Sequence, residues 1–484
     1  MKTIIPFGKW TPDAPYLQPP GELTANNVIP WSRGYIPVSS LNAASNALSA
    51  RCLGAGYGTA STGVNYLYAG DSTKLYEAPS STAPSFVDQS KGGGYSTATG
   101  EVWEFAFYDR NSKVVATNYT DAVQSMTIGL GASSAFADMI TGTNKPKARH
   151  VAIVNQFVVL GNTNDATDGA RLSRIWWSGF GDETSFDPSS ATQSDYEDLS
   201  TGGPVQKIIS GSEYGLIFQR ECVRAMRYIG GLTIFEFPVV NYVPGTPYPN
   251  SVVAYAGRIF YIADDGFMML NGLDPVHIGS ALVDQQFINT ISTQSVANYW
   301  CFTAGIDPIK KCVYWAVASS GTTPGTIFTY NWERDKWSLI TQTMETFSRV
   351  DNFVTVGHLG AFDSTHKLAV FSGTVLVATI ETGDLMLSPG KWSQVNGIRI
   401  LMDAGGAKAP PDINFHVIGK QSEYSASATY TQSAAMNSEG YATFRSGGRY
   451  HSVRCSISSS FASILFQPPH FMGIEIDYEE EGER

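Results

Sequence analysis

Apolar residues along this chain come in short runs, each ending in a turn rich in glycine or aspartate before a second run begins. Val151–Gly161 leads to Ile175–Gly179, Gly215–Gln219 to Ala225–Gly230, and Arg258–Ala263 to Phe267–Gly272. The unit recurs roughly every 40–50 residues, a period expected of propellers and solenoids. Runs this short, bounded by turn residues, read as strands. Asn65–Leu67 and Lys74–Tyr76 form one such pair around Gly70-Asp71, and Val102–Tyr108 and Lys113–Thr117 another across Asp109–Ser112. Alternation puts Trp103, Phe105 and Phe107 on one face of their strand. A further unit runs through Cys312–Ala318, Thr326–Tyr330, the turn Asn331–Asp335 and Trp337–Ile340; another runs through Gly357–Phe362, Leu368–Phe371 and Val375–Ile380. Asp265-Gly266 and Asn271-Gly272 are strong hairpin signals. Six or seven units result, within the range of about four to eight blades of a propeller.

Outside the repeat the texture changes. Pro12–Pro37 is rich in Pro, Gly and Asn and reads as an extended arm lying on another domain; Pro19-Pro20-Gly21 and Ile29-Pro30 exclude helix there. Ala and Leu dominate Asn42–Leu53, which predicts one short helix, and helical periodicity vanishes from Val64 on. After about Gly390, strands are predicted at Ile398–Met402, Ile413–Ile418, Ala426–Thr431, Tyr441–Arg445, Ser452–Ile457 and Met472–Tyr478. Two sheets packed face to face account for them. Glu479–Arg484 reads as a solvated tail. The expected fold class is therefore all-β: an extended N-terminal arm over 1–60, a β-propeller over 61–388, and a C-terminal β-sandwich-like domain over 389–484.

Composition adds an assembly to this picture. Of the 484 residues only 15% are charged, against roughly 25% in ordinary soluble domains, so neighbours are expected to cover much of the surface. The net charge of −11 argues against gripping duplex phosphates. The nearest approach to a basic cluster, Lys145, Lys147 and Arg149, reads as a solvated turn. Five cysteines without a C-x-x-C read as free, mostly buried thiols in a reducing compartment. Met1–Gly8 lacks the apolar core of a signal peptide, and no apolar stretch approaches the 18 or so residues a membrane span needs.

The chemistry searched for is mostly missing. Gly54-Ala55-Gly56-Tyr57-Gly58 has the wrong spacing for a dinucleotide fingerprint and reads as a linker. No phosphate loop, G-x-S-x-G elbow or H-E-x-x-H occurs, so no catalytic, cofactor or metal residue is assigned. Asp182, Glu183 and Asp187 cluster after Trp176-Trp177, and Asp195, Glu197 and Asp198 follow. Paired acids beside aromatics cleave glycosides, but here loop decoration and turn capping account for them more simply. Asp264-Asp265-Gly266 is read as a hairpin turn, and Trp176, Trp177, Trp300, Trp315, Trp332 and Trp337 as core.

Several runs, weak singly, keep a telling order: Phe7-Gly8-Lys9-Trp10, Asn26–Pro30, Phe157–Thr163, Trp177–Asp182, Gly211–Gln219, Met226–Gly230, Asp265-Gly266-Phe267, Gly447–Arg454 and Gly473–Tyr478. In this order the chain resembles the tail hub or nozzle proteins of short-tailed bacteriophages, also called packaged-DNA stabilisation proteins. The resemblance implies a structural virion protein without catalytic residues. It would be assembled in the host cytoplasm as a homo-oligomeric ring, typically a hexamer, below the portal and adaptor. The ring would line and close the channel for double-stranded DNA, without sequence-specific binding, and carry tail fibres or tailspikes. An acidic wall would let DNA slide, because no phosphate counterions would be displaced. The channel or gate loops expected are Asp182–Asp198, with Asp182, Glu183 and Asp187, and Val243–Asn250, with Pro244, Pro247 and Pro249. The competing expectation is a propeller glycosidase or lyase, or a glycan-binding propeller, acting on bacterial surface polysaccharide.

Overall fold

The computed structural model describes residues 1–14, 22–108, 112–129, 135–211, 213–231, 233–351, 358–403, 413–422, 430–458 and 469–481. Pro19-Pro20-Gly21, Asp109–Asn111, Gly357, Ala426–Thr429 and Gly482–Arg484, all part of the sequence expectations, lie outside the described residues.

The described chain is mostly strand. Five strands open it: β1 (Lys2–Pro6), β2 (Glu22–Asn26), β3 (Val28–Trp31), β4 (Gly34–Pro37) and β5 (Asn42–Ala47). Small antiparallel sheets then follow one another. Sheet 1 holds β6 (Gly54–Thr59), β7 (Asn65–Gly70), β8 (Leu75–Pro79) and β9 (Val87–Asp88). Sheet 2 holds β10 (Glu104–Tyr108), β11 (Lys113–Thr117), β12 (Gln124–Thr127) and β13 (Ala137–Asp138). Sheet 3 holds β14 (Lys147–Val154), β15 (Phe157–Asp165), β16 (Gly169–Trp177) and β17 (Asp195–Asp198). Sheet 4 holds β18 (Val205–Ile209), β19 (Tyr214–Gln219), β20 (Cys222–Tyr228) and β21 (Phe235–Glu236), with β22 (Val239–Pro244) also on β20. Sheet 5 holds β23 (Val253–Tyr255), β24 (Arg258–Ala263), β25 (Gly266–Asn271) and β26 (Asp274–His277). After helix α1 (Asp284–Ile291), sheet 6 holds β27 (Thr303–Asp307), β28 (Cys312–Val317), β29 (Thr326–Asn331) and β30 (Lys336–Thr341). Sheet 7 holds β31 (Phe347–Arg349), β32 (Leu359–Phe362) and β33 (Lys367–Val370), and β5 supplies its fourth strand.

The turn chemistry of the repeat is visible at the bend from second to third strand. Asp71 accepts the N–H groups of Thr73 and Lys74, both at 2.8 Å. Asp165 does the same for Thr167 and Asp168, and Asp363 for Thr365 and Lys367. These side chains mimic the backbone of a turn and fix it.

Each sheet is buried on both faces, which is why runs such as Phe157–Leu160 are continuously apolar rather than alternating. Val158 and Leu160 face sheet 2, packing with Ala106 and Val115; Phe157 and Val159 face sheet 4, packing with Ile217 and Met226. Tyr68 and Leu75 of sheet 1 pack with Val114 and Met126 of sheet 2. Phe218 of sheet 4 packs with Tyr261 of sheet 5, Phe267 of sheet 5 with Trp315 of sheet 6, and Tyr314 of sheet 6 with Leu359 of sheet 7. Phe362 and Leu368 of sheet 7 pack with Leu67 and Tyr76 of sheet 1, so the last sheet meets the first.

The remaining strands are β34 (Ala378–Thr382), β35 (Trp392–Asp403), β36 (Ile413–Lys420), β37 (Tyr430–Ala435), β38 (Tyr441–Gly448), β39 (Tyr450–Ile457) and β40 (His470–Glu481). One layer contains β3, β4, β40, β35 and β38 with β1 on β40; the other contains β34, β39, β36 and β37. Val395, Ile398, Ile474 and Ile476 of the first share a core with Phe415, Val417, Val453 and Ile457 of the second. β2 lies between β34 and β30, which makes the second layer continuous with sheet 6. β4 approaches β40 so closely that a Cβ on Gly34 would stand 1.9 Å from the Phe471 carbonyl oxygen.

The structure corrects several sequence expectations. The helix expected over Asn42–Leu53 is instead β5, which pairs Ala43 with Ala369 and Ala47 with Lys367. The open backbone edge of β33 outweighs the helix propensity of alanine there. Gly54–Gly58 is not a linker but the body of β6. Its glycines are needed because sheet 2 presses on it: a Cβ on Gly54 would lie 2.0 Å from the Trp103 carbonyl, and one on Gly58 2.2 Å from the Phe107 ring. Val375–Ile380 does not complete its unit, since β34 leaves to pair with β2 and β39. Helix α1 was not expected at all. Glu479, Glu480 and Glu481 are not a solvated tail but the end of β40, in register with Gln394, Ser393 and Trp392. Lys147 and Arg149 sit on β14 rather than in a solvated turn, and Arg149 makes a two-pronged bond to Glu101.

Candidate functional site: a cavity where first strands converge

First strands of successive sheets lie side by side: β6 beside β10, β10 beside β14, β14 beside β18, β23 beside β27, β27 beside β31, and β31 beside β6. Between them is a cavity of about 190 Å³, lined by residues of β6, β10, β18, β23, β27 and β31 and of the segments entering them. A second cavity of about 260 Å³ lies further along β6, β23, β27 and β31. Ala55, Val253, Ala304 and Phe347 line both.

The charged groups of the first cavity engage one another. Glu104 of β10 is a hub: its Oε2 lies 3.0 Å from His150 Nδ1 on β14 and 3.2 Å from Lys207 Nζ on β18. Burial pushes this carboxyl up, but the Lys207 charge and the His150 bond outweigh it and hold Glu104 below its ordinary value. Three sheets are tied through one carboxylate. Across the cavity, Glu345 accepts the Cys52 N–H at 2.8 Å and lies 2.6 Å from His366 Nδ1; burial raises its carboxyl. Arg51 stands over the Trp300 ring at 5.1 Å and donates to the Thr322 carbonyl at 2.7 Å. Burial drives the Cys52 thiol far above its ordinary value and the Cys301 thiol up to about 11, so both stay protonated and unreactive at neutral pH. All five cysteines are free, four of them buried.

The loop residues singled out in the sequence go to two places. Asp182 accepts the Thr184 N–H at 2.9 Å and its hydroxyl at 2.8 Å. Glu183 is buried and paired with Lys113 of β11 at 2.8 Å. Asp187 takes the N–H groups of Asn144 at 2.7 Å and Thr143 at 3.1 Å, which lowers its carboxyl. Asp182 thus closes a turn within the loop after β16, Glu183 ties that loop to sheet 2 and Asp187 ties it to the segment after β13, and none of the three lines the cavity. The second loop is built into the protein. Pro244, Pro247 and Pro249 are half-buried, and Thr246 is fully buried with its hydroxyl on the Ile262 carbonyl at 2.7 Å. The Tyr248 ring stacks on Phe302 at 5.4 Å. This loop ends at the cavity, where Asn250 donates to the Trp300 carbonyl at 2.8 Å.

Sequence reasoning passed over Glu104, His150 and Lys207. The signal was an ionisable residue among apolar neighbours for Glu104, in Trp103-Glu104-Phe105, and for Lys207, before Ile208-Ile209; His150 follows Lys147 and Arg149 on its strand and offered no such contrast. Of the tryptophans expected as core, Trp176, Trp177, Trp315 and Trp337 are buried, and Trp332 stacks half-buried on Phe260. Among the described residues no group of three or more His, Cys, Asp or Glu is arranged to hold a metal ion, and no helix is long and apolar enough to cross a membrane. No family model matches the chain, and no curated protein matches it.

Proposed function

We propose that the seven sheets close into a seven-bladed β-propeller, that the terminal strands form a β-sandwich beside it, and that the chain is the tail hub or nozzle subunit of a short-tailed phage virion. The observation that carries this reading is where the resembling runs fall. Those from opposite ends of the sequence are brought together: β1, which leads straight into Phe7-Gly8-Lys9-Trp10, is in register with Gly473–Asp477, and Phe7 itself donates to the Met472 carbonyl at 2.8 Å. Runs separated by the whole chain thus belong to one structural unit. The first-strand cavity, about 190 Å³, has room for only a few waters at about 30 Å³ each and is too small to pass a duplex. A DNA channel would therefore lie between copies, with the acidic surface of each copy as its wall. Portal–adaptor proteins above and fibres or spikes outside are the partners this role requires. Asp182 and Glu183, the acids a glycosidase would use, serve a turn and an ion pair here.

The test is assembly. Mass photometry of the purified chain should find monomers at micromolar concentration, and a ring of copies once the portal–adaptor complex is added. A chain that stays monomeric on that complex and releases reducing sugar from capsule would replace this reading with the glycosidase. Gel shifts at physiological salt should show no duplex binding; tight, salt-sensitive binding would remove the sliding wall.

A further inference from the structure

Glu22 sits where β2, sheet 6 and the terminal layers meet, and it is 3% exposed. Its Oε1 accepts the Gly8 N–H at 2.7 Å, while its Oε2 is buried without a partner. Thr382 of β34 stands opposite it in register. The titratable groups around it come from four strands and the arm. From β30, Lys336 points its Nζ at the Phe7 carbonyl, 3.4 Å away, and over the Tyr35 ring at 5.7 Å. From β4, Tyr35 is buried and donates to the Gly8 carbonyl at 3.1 Å. From β39, Cys455 is buried within electrostatic reach. From the arm, Lys9 is already paired with Asp335 at 2.5 Å, and on β34 Glu381 is paired with Arg454 at 2.9 Å. Glu22 itself joins no ion pair within 4.0 Å among the described residues, and Arg334 acts on Lys336 rather than on Glu22.

We propose that Glu22 is a proton-operated clasp: protonated, it lets the N-terminal strands seat on the junction between sheet 6 and the terminal layers, and ionised, it loosens them. A neutral carboxyl leaves one hydroxyl unmatched there. A carboxylate leaves a full buried charge; the cation acting on it, Lys336, is itself half-buried and points at the Phe7 carbonyl, and Lys9 is taken by Asp335, so the charged form is far costlier. Burial accordingly raises Glu22 from 4.5 to about 8, against the opposing effects of the Gly8 N–H and Lys336. The seated arm therefore holds a proton that a free arm gives up. Seating weakens as pH rises from about 4.5, by up to tenfold per pH unit, and levels off above about 8. The inference does not rest on the virion reading.

Hydrogen–deuterium exchange of the full chain, corrected for intrinsic rates, tests it. Protection of residues 2–10 and 23–37 should fall more than tenfold between pH 6 and 8, while β14 and β15 of sheet 3 keep theirs. Glu22→Gln keeps the acceptor for Gly8 and cannot ionise, so its arm protection should be flat over this window. A fall of the same size in Glu22→Gln, or none in the parent chain, overturns the clasp. Lys336→Met gives an independent reading should the first variant not fold. Losing that cation raises the Glu22 carboxyl further, so protection should level off at a higher pH, and a shift to lower pH or no shift overturns the proposal.

Discussion

Replacing Phe267 by alanine is expected to remove about 3–5 kcal/mol of stability, at the upper end of what core truncations cost. Phe267 is the second residue of β25 in sheet 5, but its ring belongs to the space between sheets. It is fully buried and lies 4.7 Å from Trp337, 4.9 Å from Trp315, 5.1 Å from Phe287 and 5.5 Å from Phe328, centre to centre. Three of these four rings sit on sheet 6 and the fourth on α1. Alanine would leave a hole walled by large rings, each held by the others: Trp337 is tethered through its indole N–H to the Ile278 carbonyl, and Trp315 to that of Ser251. Rings so fixed cannot slide into the gap, and the cost grows with the cavity that remains. Equilibrium denaturation by urea measures it. A loss below about 1 kcal/mol would mean that sheets 5 and 6 do not pack through this ring.

The same position shows what the sequence made legible. Asp265-Gly266 followed by Phe267 announced a hairpin, and β24 and β25 pair around it from Ala263↔Gly266 to Arg258↔Asn271. Periodicity and turn chemistry are local, so strands and hairpins were readable wherever both were present. What was hidden depends on partners remote in sequence. β5 is a strand only because β33 offers an edge more than three hundred residues away. Gly54–Gly58 looks like a linker until Trp103, Phe105 and Phe107 are laid against it. Glu183 offers a carboxylate to chemistry until Lys113 claims it. The site followed the same rule. Glu104, His150 and Lys207 are one residue each on three strands, with no spacing between them that a motif would register. Only the lateral order of the first strands brings them together.

That cluster supports the second large expectation. Lys207→Met should cost about 3–5 kcal/mol near pH 8, because it strands the buried Glu104 charge. In the parent chain Glu104 lies below its unfolded value, held there by Lys207 and His150 against its own burial. It therefore contributes stability that is present above about 4.5 and is lost as pH falls through the folded value. Without Lys207 only His150 opposes burial, the largest single effect on this carboxyl, so the folded protein is expected to favour the neutral acid and the sign to reverse. The variant should lose stability as pH rises from about 4.5, and the gap to the parent should widen from pH 4.5 to pH 8. Adding Glu104→Gln to Lys207→Met removes the stranded charge, keeps an acceptor for His150, and should recover most of the loss. Urea titrations of the three proteins at pH 4.5, 6 and 8 separate these cases. A gap that narrows with rising pH, or a double variant no better than Lys207→Met, would mean that the three sheets are not tied through this carboxylate. Lys207 would then contribute through the packing of its stem alone.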